Sequence, residues 1–215
     1  MTITFSHQKG GIGKSTMTYH LAGAFRRLGK EPLLIDLDVQ NTITDLNQIR
    51  KLSGQPPFKV LQCHNAKLLA QIVQESTNDI ILIDTGGFDT DVNRAAIYLA
   101  DLVVTPANDR LPELMGLKHY EKILNTISEN TGEDIDARVL INFAHPTASD
   151  FSRLIEFAEK SNRFKMLDSI IRQRADFHRA FEDGSTVTEI TLFSKASQEI
   201  GKLAEELIAV VGEEV

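Results

Sequence analysis

The sequence is poor in features that mark several common classes of protein. One cysteine, Cys63, stands in 215 residues. That excludes an internal disulfide, a Cys-rich metal site and cluster ligation by this chain, and a reducing, cytoplasmic setting is expected. No apolar run approaches the ~20 residues that span a bilayer. The opening MTITFSHQ lacks the basic start and long apolar stretch of a signal peptide and reads as a strand. Positive charge is in deficit: 23 Lys and Arg against 30 Asp and Glu give −7, an average that argues against a nucleic-acid protein and hides one local exception. Internal repeats, low-complexity tracts and linkers are missing too, and Gln55-Pro56-Pro57 reads as a turn within one domain. What is present, 42% hydrophobic and 25% charged residues, is ordinary globular composition. The length suits one domain over 1–215.

Short β-rich runs alternate with longer helical patterns, the mark of a mostly parallel sheet with helices on both faces. Strands are expected at 2–7, 32–38, 58–62, 79–85, 101–106, 137–143 and 166–171. The continuous apolar run 32–38 is that of a strand buried on both faces. A first helix begins at Ser15, with Met17, Leu21, Phe25 and Leu28 on one side and Gly29 as its stop. Further helical patterns cover 64–76, 90–99, 112–130, 149–161 and 174–183. A last helix, roughly 192–211, sets Leu192, Ala196, Ile200, Leu203, Leu207 and Val211 on one stripe. It reads as closing the core rather than lying on a membrane. Glu199, Glu205 and Glu206 on its outer face, with Glu213 and Glu214 in the tail, would be repelled by anionic lipid.

One more absence is local. A phosphate-binding loop is usually Gly, four residues, then Gly-Lys-Ser/Thr. Here Gln8 replaces the first glycine, and a second lysine, Lys9, stands beside it. The rest fits. Gly10, Gly11 and Gly13 let the backbone amides through Ile12 point inward, and the helix adds its positive N-terminal end. Lys14 would contact the β- and γ-phosphates, the Ser15 hydroxyl would ligate Mg²⁺, and Thr16 follows on the helix. Lys9 has only just left the strand. It is placed either in solvent or across the pocket mouth, where it would reach a phosphate held by another subunit.

The stretch KGGIGKST (9–16) resembles the deviant Walker A motif of the ParA/MinD family of ATPases. LLIDLDVQNTIT (33–44) looks like that family's Asp-x-Asp-x-Gln segment. DIILIDTGG (79–87) is similar to its Walker B strand, and 171–189 to the segment after the last strand in short plasmid-partition proteins. The resemblance implies an ATP sandwich dimer in which Lys9 contacts the partner's nucleotide. It implies Asp38 as the residue that positions or activates the attacking water, making Lys9, Lys14 and Asp38 the catalytic set. Asp36 would support Mg²⁺ or cap the next loop; Asp84 would hold Mg²⁺ through water. Gly86-Gly87 would allow a backbone approach to the γ-phosphate. Asp89 and Asp91 are expected to cap a helix. Asn142, ending the sixth strand, would contact the adenine or cap its loop.

Residues 160–179 are the basic exception: six cations, Lys160, Arg163, Lys165, Arg172, Arg174 and Arg179, against two anions, Asp168 and Asp176. They form either a solvated face or a patch for the DNA backbone, with Arg163, Lys165, Arg172, Arg174 and Arg179 as the DNA-binding set. A partition-type ATPase with ATP/ADP and Mg²⁺ follows as the functional expectation. It would form a homodimer on ATP binding, bind non-specific DNA on the nucleoid, and hydrolyse ATP when stimulated by a small centromere-binding or cargo adaptor protein. No membrane partner is expected, and with no helix-turn-helix before the first strand, neither is operator-specific repression. Rival readings are a MinD-like membrane positioner, a metabolic enzyme of the dethiobiotin-synthetase type, and a positioner of another cargo.

Overall fold

A computed structural model describes residues 1–191 and 193–214. Seven strands form one parallel sheet: β1 (Thr2–Phe5), β2 (Pro32–Asp36), β3 (Lys59–Gln62), β4 (Ile80–Asp84), β5 (Leu102–Ala107), β6 (Ala137–Ala144) and β7 (Phe164–Arg172). Their order is β3-β2-β4-β1-β5-β6-β7. The helices are α1 (Lys14–Arg27), α2 (Thr42–Leu52), α3 (Ala66–Glu75), α4 (Asp91–Tyr98), α5 (Leu111–Thr131), α6 (Ser152–Glu159), α7 (Ala175–Phe181), α8 (Val187–Ile190) and α9 (Lys195–Glu214).

Strand alternation divides the core. Ile3, Phe5, Leu34, Leu82 and Val104 pack on α1, α2 and α7 to α9. On the opposite face Val103, Val139 and Ile141 meet α5 and α6, and Leu33, Ile35, Ile81 and Ile83 meet α3 and α4. Every residue of β1, β2, β4 and β5 is buried, as a sheet covered on both faces requires. The register sets Phe5 beside Asp84, and Asp84 beside Asp36. The ends of β1, β2 and β4 therefore meet at one place.

The structure corrects the sequence reading in several details. Helix α1 is buried almost all round, from Met17 to Phe25, whereas Leu28 is exposed at its C-cap. Two helices, α2 and α8, had no clear periodic signal. Asp89 does not cap α4. Thr90 does so, accepting from the Asn93 amide, while Asp89 pairs with Arg94. Helix α9 does bury Ala196, Ile200, Leu203 and Leu207; Leu192 lies outside the described residues. Its carboxylates are not all on an outer face. Glu206 accepts from the backbone N–H groups of Asp168 and Ser169, and Glu199 from that of Arg172. These are donors on the outer edge of β7, which an unpaired edge strand must satisfy or shield. Among the described residues, no helix is long and apolar enough to cross a membrane.

Beneath α1, His20 stacks on Phe181 at 4.8 Å, and its Nδ1 accepts from the Val187 N–H. Burial pushes its imidazole down to about 3. The unfolded chain titrates near 6.5, so below that pH it takes up a proton that the folded chain refuses, and stability falls as pH falls. His20→Phe should flatten this acid slope by up to about 1.4 kcal/mol per pH unit. It should also cost roughly 1 kcal/mol near neutrality for the abandoned Val187 N–H. Urea unfolding at several pH values measures both.

Candidate functional site: a phosphate-binding loop

The loop after β1 is held on three sides. Gly13 takes φ +91 at the N-cap of α1. A Cβ there would come within 2.5 Å of the Asn142 amide and 2.9 Å of the Phe143 ring, so a side chain is excluded by space as well as by backbone conformation. The Asn142 amide donates to the Ile12 carbonyl at 2.7 Å and is buried. From β4, Gly87 approaches so closely that a Cβ would lie 3.2 Å from the Gly10 nitrogen. Gly87 is thus packed on the loop, while Gly86 faces Asp38 and Asn93.

The reactive groups converge on this scaffold. The buried Lys14 ammonium donates to the Lys9 carbonyl at 3.2 Å. Burial lowers its pKa, opposed by Asp84 and Asp38. Asp84 is fully buried, and neither of its oxygens has a hydrogen-bond partner of good geometry among the described residues. Burial pushes its carboxyl up to about 8, against the opposing influence of the Ser15 hydroxyl and Lys14. A carboxylate so placed fits a cation. Among the described residues no cluster of three His, Cys, Asp or Glu could hold a metal by itself. A hard cation at Asp84 and Ser15 would therefore complete its shell with phosphate oxygens and water.

The two carboxylates of the Asp-x-Asp pair separate in role. Asp36 is buried with both oxygens engaged: Oδ2 accepts from the Thr44 amide and hydroxyl, and Oδ1 from the Asp38 amide. It anchors the start of α2. Asp38 is half-buried, and its Oδ1 accepts from the Gln40 amide. Lys9 is partly exposed, and its ammonium is 2.7 Å from Glu113 Oε1.

Beside the loop a cavity of about 720 Å³ is lined by Gly11, Thr16, Phe143, His145, Pro146, Arg174, Phe177 and Phe181. It has the size and aromatic walls of a site for a planar base. Asn142 does not line it. Its amide is turned onto the loop, which fits the second of the two roles its position allowed, holding a loop. Phe143 does line it, at φ +52, a conformation costly for a bulky residue.

The five basic residues do not form one patch. Arg163 and Lys165 lie at the start of β7, and Arg172, Arg174 and Arg179 at or beyond its other end, about 30 Å away for a strand of this length. Each has a nearby acid. Arg163 binds Asp134 and the Asn125 side chain, and Lys165 binds Asp136. Arg174 reaches Glu199 at 2.5 Å, Arg172 lies 4.0 Å from it, and Arg179 is 3.5 Å from Asp176. Only the second group stands at the nucleotide end of the sheet, where Arg172 and Arg174 line a groove of about 640 Å³ between β7 and α9 together with Lys195, Lys202 and the acids Asp168, Glu199 and Glu206; Arg179 is not among its lining residues.

A strand, a glycine loop ending in Lys14-Ser15, a helix, and acidic strand ends beside them define a P-loop nucleotide-binding protein. A family model described as CobQ/CobB/MinD/ParA nucleotide binding domain matches residues 3–187, and the chain belongs to that family. The chromosome-partitioning ATPase Soj of Thermus thermophilus is 50% identical over 52 residues, 24% of this chain and 21% of that protein. The sporulation initiation inhibitor protein Soj of Bacillus subtilis is 21% identical over 247 residues, spanning 96% of this chain and 98% of its own. A putative plasmid partition protein from Borrelia burgdorferi, solved bound to AMPPNP, shares the fold with TM-score 0.70 and 18% identity, covering 100% of this chain and 99% of its own.

Proposed function

We propose that this chain is a partition-type ATPase in which ATP joins two copies face to face, the pair binds DNA without reading sequence, and hydrolysis releases it. The observation that carries this reading is the surface around the loop mouth. Val39, Phe88, Leu111 and Met115 are large apolar side chains exposed by 69%, 77%, 65% and 57%. Val39 follows Asp38, Phe88 follows Gly87, and Leu111 and Met115 flank the Glu113 that holds Lys9. An apolar rim around a charged phosphate site suits burial by a second copy of the same face. Across that face Lys9 would meet the partner's phosphates, in the manner of an arginine finger. Lys14 and the loop amides would hold the triphosphate, Ser15 and Asp84 the Mg²⁺, and Asp38 would orient the attacking water. The cation would neutralise charge developing on the transferred phosphoryl group.

The acidic total charge directs DNA to one place. Arg172, Arg174, Lys195 and Lys202 line one groove, with Arg179 on the following helix α7, and pairing would double that set and couple DNA affinity to ATP. A small centromere-binding or cargo adaptor protein would stimulate hydrolysis, and the nucleoid would be the working surface. A membrane role gains no support from α9, whose apolar stripe faces the core.

A mobility shift with non-specific duplex in AMPPNP, ADP or no nucleotide tests the reading. Binding with AMPPNP alone is expected; equal binding in all three would sink the ATP coupling. Arg172→Ala with Arg174→Ala should weaken binding and flatten its salt dependence by about 2 in log–log slope per subunit. Arg163→Ala at the far end should leave DNA binding intact and cost roughly 1–2 kcal/mol of stability through its broken contacts.

A further inference from the structure

We propose that Glu113 is a positioning residue that latches Lys9 onto its own subunit and so sets the threshold for ATP-dependent pairing. This rests on the reading of Lys9 as a lysine that acts across the pair. The contact joins residues 104 positions apart. Lys9 Nζ and Glu113 Oε1 stand at 2.7 Å, with the lysine side chain 41% exposed and the glutamate 11%. Glu113 lies in the first turn of α5, where the helix N-terminus favours its charge.

The main chain of Lys9 is fixed independently of its side chain. Its N–H donates to His7 Nδ1 at 2.9 Å, and its carbonyl accepts from Lys14. The loop therefore stays in place while the side chain has two possible partners. On one side is Glu113. On the other, across the apolar rim, is the phosphate of a second copy. Both compete for one ammonium, and the phosphate wins only if its greater charge outweighs the carboxylate. Losing Lys9 also leaves Glu113 without its cation. Its Oε2 is already buried with no hydrogen-bond partner among the described residues, so release of the lysine opposes pairing.

The test is sedimentation velocity of the full chain with AMPPNP and Mg²⁺. Wild type would be compared with Glu113→Gln, Glu113→Ala, Lys9→Ala and the double variant Lys9→Ala/Glu113→Ala. Both Glu113 variants should pair about two- to fivefold more tightly, the range for a partly exposed ion pair. The double variant should pair no better than Lys9→Ala alone. A merely structural role for Glu113 would persist without Lys9 and lower the melting temperature. Unchanged or weaker pairing in both Glu113 variants, with Lys9→Ala still impaired, overturns the latch and leaves the role of Lys9 standing. Normal pairing by Lys9→Ala overturns both.

Discussion

Asp38→Ala is expected to slow ATP hydrolysis by about 10²–10⁴-fold while nucleotide binding stays within a few fold. Three carboxylates stand at the ends of β2 and β4, and their surroundings assign them different work. Asp36 has both oxygens committed to Thr44 and Asp38 amide donors. Asp84 is sealed in the core beside Lys14 and Ser15. Asp38 alone is half-open at the mouth, and its Oδ2 accepts no hydrogen bond among the described residues. That oxygen is free to take a hydrogen bond from water. A carboxylate repels phosphate oxygens rather than holding them, so nucleotide binding is expected to survive its removal. Single-turnover hydrolysis and a fluorescent-nucleotide titration separate the two effects. Turnover at the wild-type rate would remove Asp38 from the chemistry.

Gly184→Ala is expected to lower stability by roughly 3–5 kcal/mol, enough to unfold much of a marginal domain. Gly184 takes φ +70, and a Cβ would stand 2.3 Å from the Arg50 nitrogen and 2.5 Å from its Cα. Both obstacles are backbone, so neither can rotate aside. The carbonyl of Gly184 accepts from the Tyr19 hydroxyl at 2.7 Å and from Arg50 Nη1 at 3.2 Å. Arg50 is 1% exposed and forms a two-point ion pair with Glu189. Shifting Gly184 would disturb that pair, in which the arginine is buried and the glutamate 30% exposed, and an uncompensated buried charge on Arg50 is among the costliest defects. Thermal unfolding of the variant measures the loss. A melting temperature within about 2 °C of wild type would show that the loop relaxes freely.

Much of this was legible in the sequence because it is local. The central strands stand out as apolar runs, the edge strands β3 and β7 more weakly, and the loop carries its chemistry in eight consecutive residues, 9–16. What failed was set by distant partners. Helix α2 starts with three β-branched residues, Thr42, Ile43 and Thr44, and is nucleated by Thr44 bonding to Asp36 rather than by its own propensity. Asn142 could be placed at a strand end but not aimed, because its target, Ile12, is 130 residues away. The basic run 160–179 looked continuous because sequence does not show that an extended strand separates its halves. Glu113 had no motif around it; only the fold brings it to Lys9. Phe143 ended a predicted strand, and its left-handed backbone had no sequence signal.

Glu199 and Glu206 bear on how many copies can assemble. By occupying the outer N–H groups of β7, they deny a neighbouring sheet the donors it would need to add a strand there. Growth by strand addition at that border would be open-ended, one copy templating the next. The proposed pairing through the loop face would be self-complementary and would consume the surface it uses, so it would stop at two. Two acidic side chains on the outer border of the sheet would thereby favour a countable switch over a fibre.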